Sequence, residues 1–293
     1  MKKVPLSVII PVLNEAKNLP RCLQSVRWAE EIFVVDSASS DDSAAIAGSF
    51  GAKVVQFKFT GISPKKKNWA LDNLPISNEW VLILDADEAF PAGAEEELRE
   101  VCGSNSRGFD GYFINRRFMF MGKWLKHAYQ PNWILRLFKH GLARYETLTD
   151  MATDSGDNEV HENIILKGKA GYLGSRLDHY AFPTVDVFVN KHNRYSNWEA
   201  RVAIDHSRKS FAKANTADKT GVKRKLRNLS RHMPLRPLLR FLYVYVVQLG
   251  FLDGWEGYYF ARLHALYEFL CVCKTYELKK SLAQNGADKV LPK

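Results

Sequence analysis

Three apolar blocks in the first ninety residues each end in a cluster of polar side chains, and this pattern restricts the fold more than any other feature. Residues 6–12 run into Leu13-Asn14-Glu15, residues 31–36 end on Asp36 before a Ser/Asp-rich turn to Asp42, and residues 80–84 run into Asp85-Ala86-Asp87-Glu88. Near-continuous apolar strands belong in a sheet covered on both faces. Between the blocks the period changes. Leu19, Cys22, Leu23 and Val26 recur at helical spacing, an Ala-rich helix runs to Phe50 before Gly51, and residues 65–74 read as helical. Residues 53–57 supply a further strand. Strands alternating with helices predict an α/β fold with a mostly parallel sheet and helices on both faces. In such sheets ligands bind beyond the carboxyl ends of the strands. The three polar clusters therefore converge on one edge.

The later chain is different. Residues 112–120 and 133–138 read as strands rich in aromatics and arginine, and residues 184–210 as a helix. The sequence divides into a domain over residues 1–205 and a basic, amphipathic helical segment over residues 206–293. Between residues 208 and 240 stand eleven Lys/Arg and one Asp, which equals the net charge of the whole chain, +10. Such a block suits an anionic surface or a solvated basic face. The apolar run 241–252 that follows is too short to cross a bilayer. It fits either a segment lying in the membrane interface or one packed on the rest of the protein. Residues 258–270 extend the same amphipathic pattern. No RNP, KH or helix-turn-helix signature accompanies the basic block, so nucleic acid is not an expected partner, and a basic nucleic-acid-binding module is the alternative of another class. The four cysteines, Cys22, Cys102, Cys271 and Cys273, form no CxxC pair. They point to reduced thiols in a cytoplasmic setting. The N-terminus does not read as a signal peptide.

The chemistry starts at Asp85 and Asp87. Two carboxylates two positions apart at the end of a buried strand can address one hard divalent cation, Mn²⁺ or Mg²⁺, with phosphate oxygens completing its shell. Asp36 is placed to accept hydrogen bonds from a base or a ribose, with Asp41 as the cap of the helix behind it. Lys67 is a cation for a diphosphate, whereas Lys65 and Lys66 read as a solvated helix face. Neither GxGxxG nor GxxxxGK[ST] occurs, which argues against a dinucleotide dehydrogenase or a P-loop enzyme.

Taken in order, Ser7 to Glu15 (with Pro11, Leu13, Asn14 and Glu15), Val34-Val35-Asp36-Ser37-x-Ser39-x-Asp41, Lys67-Asn68 and Leu84-Asp85-Ala86-Asp87-Glu88 resemble the inverting family 2 glycosyltransferases of GT-A fold. The resemblance implies that Pro11 to Glu15 and Asp36 contact the nucleotide, with Ser39, Lys67 and Asn68 in the same binding set, and that Asp85 and Asp87 meet the metal and diphosphate. It implies a UDP-sugar donor. Val160-His161-Glu162, Asp178-His179-Tyr180, Lys191 with Arg194-Tyr195, and Gly250-Phe251-Leu252-Asp253-Gly254 with Gly257 are similar to a bacterial subgroup that includes lipopolysaccharide inner-core glucosyltransferases. A lipid-linked or glycolipid acceptor follows, with polyprenyl phosphate or another polysaccharide or protein acceptor as the alternative. The expected setting is peripheral, on the inner face of the cytoplasmic membrane through residues 208–252.

Inversion needs one base for the acceptor hydroxyl. The family's usual acidic pair is not evident in the second half. Glu162 is the candidate, with Glu88 as its competitor. His161 is read either as a metal or diphosphate contact or as a structural histidine. His179 stays open between phosphate binding and packing, and Arg136 with the Trp124–Trp133 stretch between acceptor contact and core.

Overall fold

Strand β1 (Val4–Val12) is buried along almost its whole length. In the computed structural model, which describes residues 2–60, 64–103, 106–146, 163–208 and 235–287, it is the axis of the main sheet. It pairs in parallel with β2 (Ala29–Asp36) on one side and β4 (Trp80–Ile83) on the other, and β3 (Lys53–Gln56) pairs in parallel with β2. Side chains alternate along a strand. Val8 and Ile10 of β1 join Leu82 in one buried cluster, whereas Ile9 joins Val81 and Ile83 in another. The first cluster is closed by α1 (Leu19–Ser25) and α4 (Ala94–Cys102), the second by α3 (Lys66–Asn73). Both faces are thus covered, as the apolar runs required.

Beyond β4 the sheet becomes mixed. Its order continues through β8 (Trp133–Lys139), β6 (Gly111–Phe120) and β11 (Ala170–Phe182) to β5 (Glu88–Ala89), and β7 (Lys123–Leu125) pairs with β6. β8 runs antiparallel to both neighbours, and β11 runs parallel to β6. β9 (Ala143–Tyr145) and β10 (Ile164–Leu166) form a small antiparallel sheet of their own. The Ala-rich helix is α2 (Ser43–Ser49). A polar knot ties the parallel strands near their starts. The Glu31 carboxylate accepts from Ser7 Oγ (2.6 Å), Ser77 N–H (3.1 Å) and Lys53 Nζ (2.8 Å).

The chain folds as two compact units: the second takes the chain from Thr184 onward together with His127–Tyr129, and the first takes most of the chain up to Pro183. The sequence had suggested a division at residue 205. Helix α5 (Val185–Arg208) belongs to the second unit, with α6 (Arg236–Leu242) and the long α7 (Trp255–Ala287). A π-turn (Tyr243–Val247) and a 3₁₀ turn (Gly250–Asp253) join α6 to α7. Inside this unit α5 meets α7 through aromatic rings. Phe188 stacks on His192 at 3.7 Å, and His192 lies edge-on to Tyr267 at 4.9 Å. The Gly-Phe-Leu-Asp-Gly motif is a packing device here. Buried Asp253 accepts the backbone N–H groups of His127 and Ala128, and a Cβ on Gly257 would meet the Gly250 carbonyl at 2.0 Å. The run 241–252 leaves Tyr243, Val246, Val247, Leu249, Phe251 and Leu252 exposed. No helix of the described residues is long and apolar enough to cross a membrane.

Candidate active site

The loops after β1 and β2 are laced together. Asn14 adopts a left-handed conformation (φ 57°), which asparagine tolerates better than most residues. Its side-chain Oδ1 accepts the Ser40 N–H (2.8 Å), and its backbone N–H donates to Ser39 Oγ (2.9 Å). The Glu15 N–H donates to Ser43 Oγ and the Ala16 N–H to Asp41. The capping expectation needs correction. Asp42 occupies the N-cap of α2 without a side-chain cap bond, while Asp41 accepts the Ser43 N–H and bridges to the first loop. Asp36 is buried at the end of β2 and accepts from the Ser39 N–H, the Ser39 hydroxyl and Gln56 Nε2 (2.9 Å). Pro11 lies within β1, and Leu13 is exposed beside this cradle.

Helix α3 brings three side chains inward. Lys66, expected on a solvated face, is 1% exposed, and its ammonium donates to the Val12 carbonyl at 2.7 Å. A lysine so buried must be hydrogen-bonded to offset lost hydration. Here it ties α3 to the end of β1. Asn68 spends both ends of its amide on the Tyr145 backbone, each at 2.9 Å, and fixes β9 against α3. Lys67 pairs with Asp85 Oδ1 at 2.9 Å.

Asp85 is also bound by the Arg136 guanidinium through its other oxygen. Arg136 is 2% exposed, and it reaches Glu88 at 3.0 Å and the Tyr145 hydroxyl at 3.4 Å. Glu88 is fully buried. Arg116 contacts it at 3.2 Å, and it accepts the Asp85 N–H at 3.1 Å. Burial would raise the Asp85 carboxyl's pKa, but the charges of Arg136 and Lys67 override that and hold it well below the usual range. Glu88 thus accepts from two guanidinium groups and a backbone N–H, which ties the turn at residues 85–88 to β6 and β8.

Asp87 has a different neighbour. Its carboxylate faces His179 Nε2 at 3.5 Å, and its carbonyl accepts the Tyr180 N–H (2.8 Å) where β5 meets β11. The other ring nitrogen of His179 is buried without a hydrogen-bond partner. This decides how well a divalent cation fits. No cluster of three His, Cys, Asp or Glu suited to a metal occurs among the described residues. Lys67 and Arg136 face the two Asp85 oxygens, and Asp87 and His179 place an oxygen and a nitrogen 3.5 Å apart. An oxygen and a nitrogen are donor types that Mn²⁺ accepts, with ligand oxygens completing its shell.

His161 and Glu162 lie outside the described residues. The sequence missed the clamp made by Arg116 and Arg136, and it left His179 undecided. The signal for Arg136 was present: one charge inside the apolar strand Trp-Ile-Leu-Arg-Leu-Phe has to be paired.

The parallel part of the sheet gathers Asp36, Asp85 and Asp87 at its carboxyl edge, the place where α/β enzymes bind their ligands. The particular family is shown by residues 7–156, which match the model described as glycosyl transferase family 2; the chain belongs to that family and is a glycosyltransferase. It is 27% identical to the lipopolysaccharide core biosynthesis glycosyltransferase LpsC of Rhizobium meliloti, over 99% of this chain and 98% of that protein. It is also 27% identical to an uncharacterized glycosyltransferase of Rickettsia typhi, over 95% of this chain and 88% of that one. Among solved structures it is similar to the mannosyltransferase PcManGT from Pyrobaculum calidifontis, in complex with GDP-Man and Mn²⁺. The TM-score is 0.51 at 15% identity, covering 94% of this chain and 87% of that chain, a likeness of fold.

Proposed function

We propose that this glycosyltransferase moves a hexose from a UDP-sugar, with inversion, onto a lipid-linked glycan of the cell envelope. The observation that carries the donor half is the division of labour at residues 85–88. Asp85 and Glu88 are locked by Lys67, Arg116 and Arg136, while Asp87 stands opposite His179. Asp36 and the laced loops at Asn14 and Ser39 form the nucleoside end of the cradle. Lys67 and Arg136 offer cationic charge beside the diphosphate position. Asp87 and His179 would hold Mn²⁺ or Mg²⁺, which when bound supplies positive charge for the departing diphosphate. In the transfer, the acceptor oxygen forms its bond to the anomeric carbon as the bond to UDP breaks on the opposite face. Glu162 takes the hydroxyl proton, with His161 beside it as a diphosphate or metal contact.

The acceptor half is supported by the match to LpsC along almost the whole of both chains. The acceptor in this reading is the lipopolysaccharide core or a related envelope glycan. The peripheral setting is supported by the basic block at residues 208–240 and the exposed apolar side chains of residues 238–255. Cations on anionic headgroups and apolar groups in the acyl boundary suit the inner face of the cytoplasmic membrane. Segment 206–293 then serves the membrane and the acceptor, and residues 1–205 the donor.

Isothermal titration with UDP, with and without Mn²⁺, on the wild type and Asp87→Ala is the test. Metal-dependent UDP binding that the variant loses is expected. Metal-independent binding of equal strength in both proteins would overturn this use of Asp87 and His179.

A further inference from the structure

Helix α1 presents an exposed cation that no carboxylate engages. The Arg21 guanidinium carbon lies 3.6 Å from the centre of the Tyr180 ring, and Nη2 donates to Asn18 Oδ1 at 3.2 Å. Asn18 in turn donates to the Glu15 carboxylate at 2.7 Å. The guanidinium is thus held between the loop after β1 and the end of β11. Arg21 is exposed, and among the described residues its side chain meets that amide and that ring but no carboxylate. Lys67, Arg116 and Arg136 differ from it, since each already meets Asp85 or Glu88.

Two observations set this cation beside Asp87. The Tyr180 N–H donates to the Asp87 carbonyl at 2.8 Å, so the ring that carries Arg21 belongs to the residue bonded to the Asp87 backbone. In addition, α1 and His179 lie on one face of the sheet. Leu177 is buried in the same cluster as Leu19, Cys22 and Leu23 of α1, and His179, two positions further along β11, shares the face of Leu177. Cys22, next to Arg21 in the chain, reaches the Asp85 carbonyl with its Sγ at 3.6 Å. The Asp87–His179 pair therefore lies on the side that α1 covers. Lys67 comes from α3, which closes the cluster on the opposite face.

A nucleoside diphosphate carries more negative charge than one divalent cation neutralises, and its phosphate oxygens call for further cationic donors. A guanidinium suits that task. Its planar fork matches phosphate oxygens, and stacking on an aromatic ring leaves its edge clear for them. Asn18 fixes one arm and Tyr180 supports the group, so less side-chain freedom is lost when an anion binds.

We propose that Arg21, supported by Tyr180, binds the diphosphate of the nucleotide-sugar donor from the α1 side, while Lys67 approaches it from the α3 side. The inference rests on the donor reading of residues 85–88 and adds a binding residue that lies far from them in the sequence.

The test is calorimetric titration of the full chain with UDP, UMP and uridine in the presence of Mn²⁺. Arg21→Gln should weaken UDP about 10- to 100-fold, the scale of a charge-assisted hydrogen bond, and leave uridine unchanged. Equal weakening of UMP would set Arg21 on the phosphate next to the ribose, and loss confined to UDP would set it on the outer one; either supports the proposal. Tyr180→Phe keeps the ring and should bind UDP as the wild type does, whereas Tyr180→Leu should lose about two- to fivefold. Equal loss in both Tyr180 variants would overturn the supporting role of the ring. Melting temperatures verify that each variant is folded. Unchanged UDP binding in folded Arg21→Gln would overturn the proposal, as would an equal loss of UDP and uridine, which would make Arg21 a prop for the nucleoside cradle through Asn18. UDP binding that is lost in Asp87→Ala but kept in Arg21→Gln sinks this inference and leaves the donor reading standing. Absence of UDP binding by the wild type sinks both.

Discussion

Both units bury charge, the first at its sheet edge and the second at Asp253 and Glu268, but they differ in what surrounds it. In the first, charge is brought inside. Lys66, Glu88 and Arg136 are buried at the edge where β1, β2 and β4 end, and every one has a named partner. In the second, the packing between α5 and α7 is made of aromatic and histidine rings, and a long apolar run is left on the outside. Buried charge is costly unless geometry is fixed. The first unit therefore accepts that cost to hold carboxylates at set positions, as a reaction centre needs. The second unit instead leaves apolar side chains between residues 238 and 255 exposed among the described residues.

The contrast breaks first at Arg136. Arg136→Met leaves Asp85 and Glu88 facing one another with one guanidinium fewer, and Glu88 has no access to water. A loss of about 3–5 kcal/mol is expected in urea unfolding, as for other buried pairs that lose one partner. A loss below about 1 kcal/mol would mean that the clamp is not what holds the turn. Asp87→Asn should behave in the opposite sense. Stability should change little, while sugar transfer should fall by about 10²–10³-fold, the scale of removing one electrostatic contact to the transition state. Equal loss of stability in both variants would erase the distinction between locked and working carboxylates.

Acid sharpens the comparison. Burial raises the Glu31 carboxyl's pKa, but its bonds from Lys53 and Ser7 outweigh that and bring it down to about 2. Its folded value lies below its ordinary one of 4.5, so its contribution is present above pH 4.5 and is lost as pH falls toward 2. Glu31→Gln should flatten that part of the stability profile and cost about 1–3 kcal/mol at pH 7. In the second unit the sign is the same but the window is higher. Burial, then the charges of His192 and Arg240, lowers His264 well below 6.5, against the opposing bond to the Phe260 carbonyl. The unfolded chain takes up that proton first, so stability falls as pH drops below 6.5. Amide exchange should show α5 and α7 loosening near pH 5 while β1 and β4 stay protected. Loosening of both together would show that the units share one unfolding event.

The legible part of the sequence was the part whose rule is local. Apolar runs such as residues 6–12 and 80–84 can only be buried strands, and Asp36 and Asp85 sit at their ends because a parallel sheet puts its ligand edge there. Lys66 was misread because a run of three lysines carries no mark of which one turns inward; the Val12 carbonyl that receives it is 54 residues away. The pairing of Arg136 with Asp85 spans 51 residues and depends on β8 being inserted antiparallel between β4 and β6, an order that no local pattern encodes. Residues 241–252 illustrate the same limit from the other side. An apolar run reads alike whether it packs or faces outward, and only the tertiary structure separates buried Val244 (1% exposed) from Val247 (67%).

That pair gives the smallest stability effect and separates the inner from the outer face of the run within the second unit. Val247→Ser removes an exposed methyl pair and should alter stability by no more than about 0.5 kcal/mol. Val244→Ala opens space among buried neighbours, and a loss of about 1–3 kcal/mol is expected. If the outer face of this run meets lipid, Val247→Ser combined with Leu252→Ser should reduce flotation with vesicles of phosphatidylglycerol and phosphatidylethanolamine. Raising salt should weaken the wild type further, because the basic block supplies the other half of the attraction. Flotation unchanged by the double variant but abolished by salt would leave electrostatics alone as the attachment. Unchanged flotation under both conditions would remove the peripheral assignment of this segment, and its exposed side chains would then need a partner made of protein.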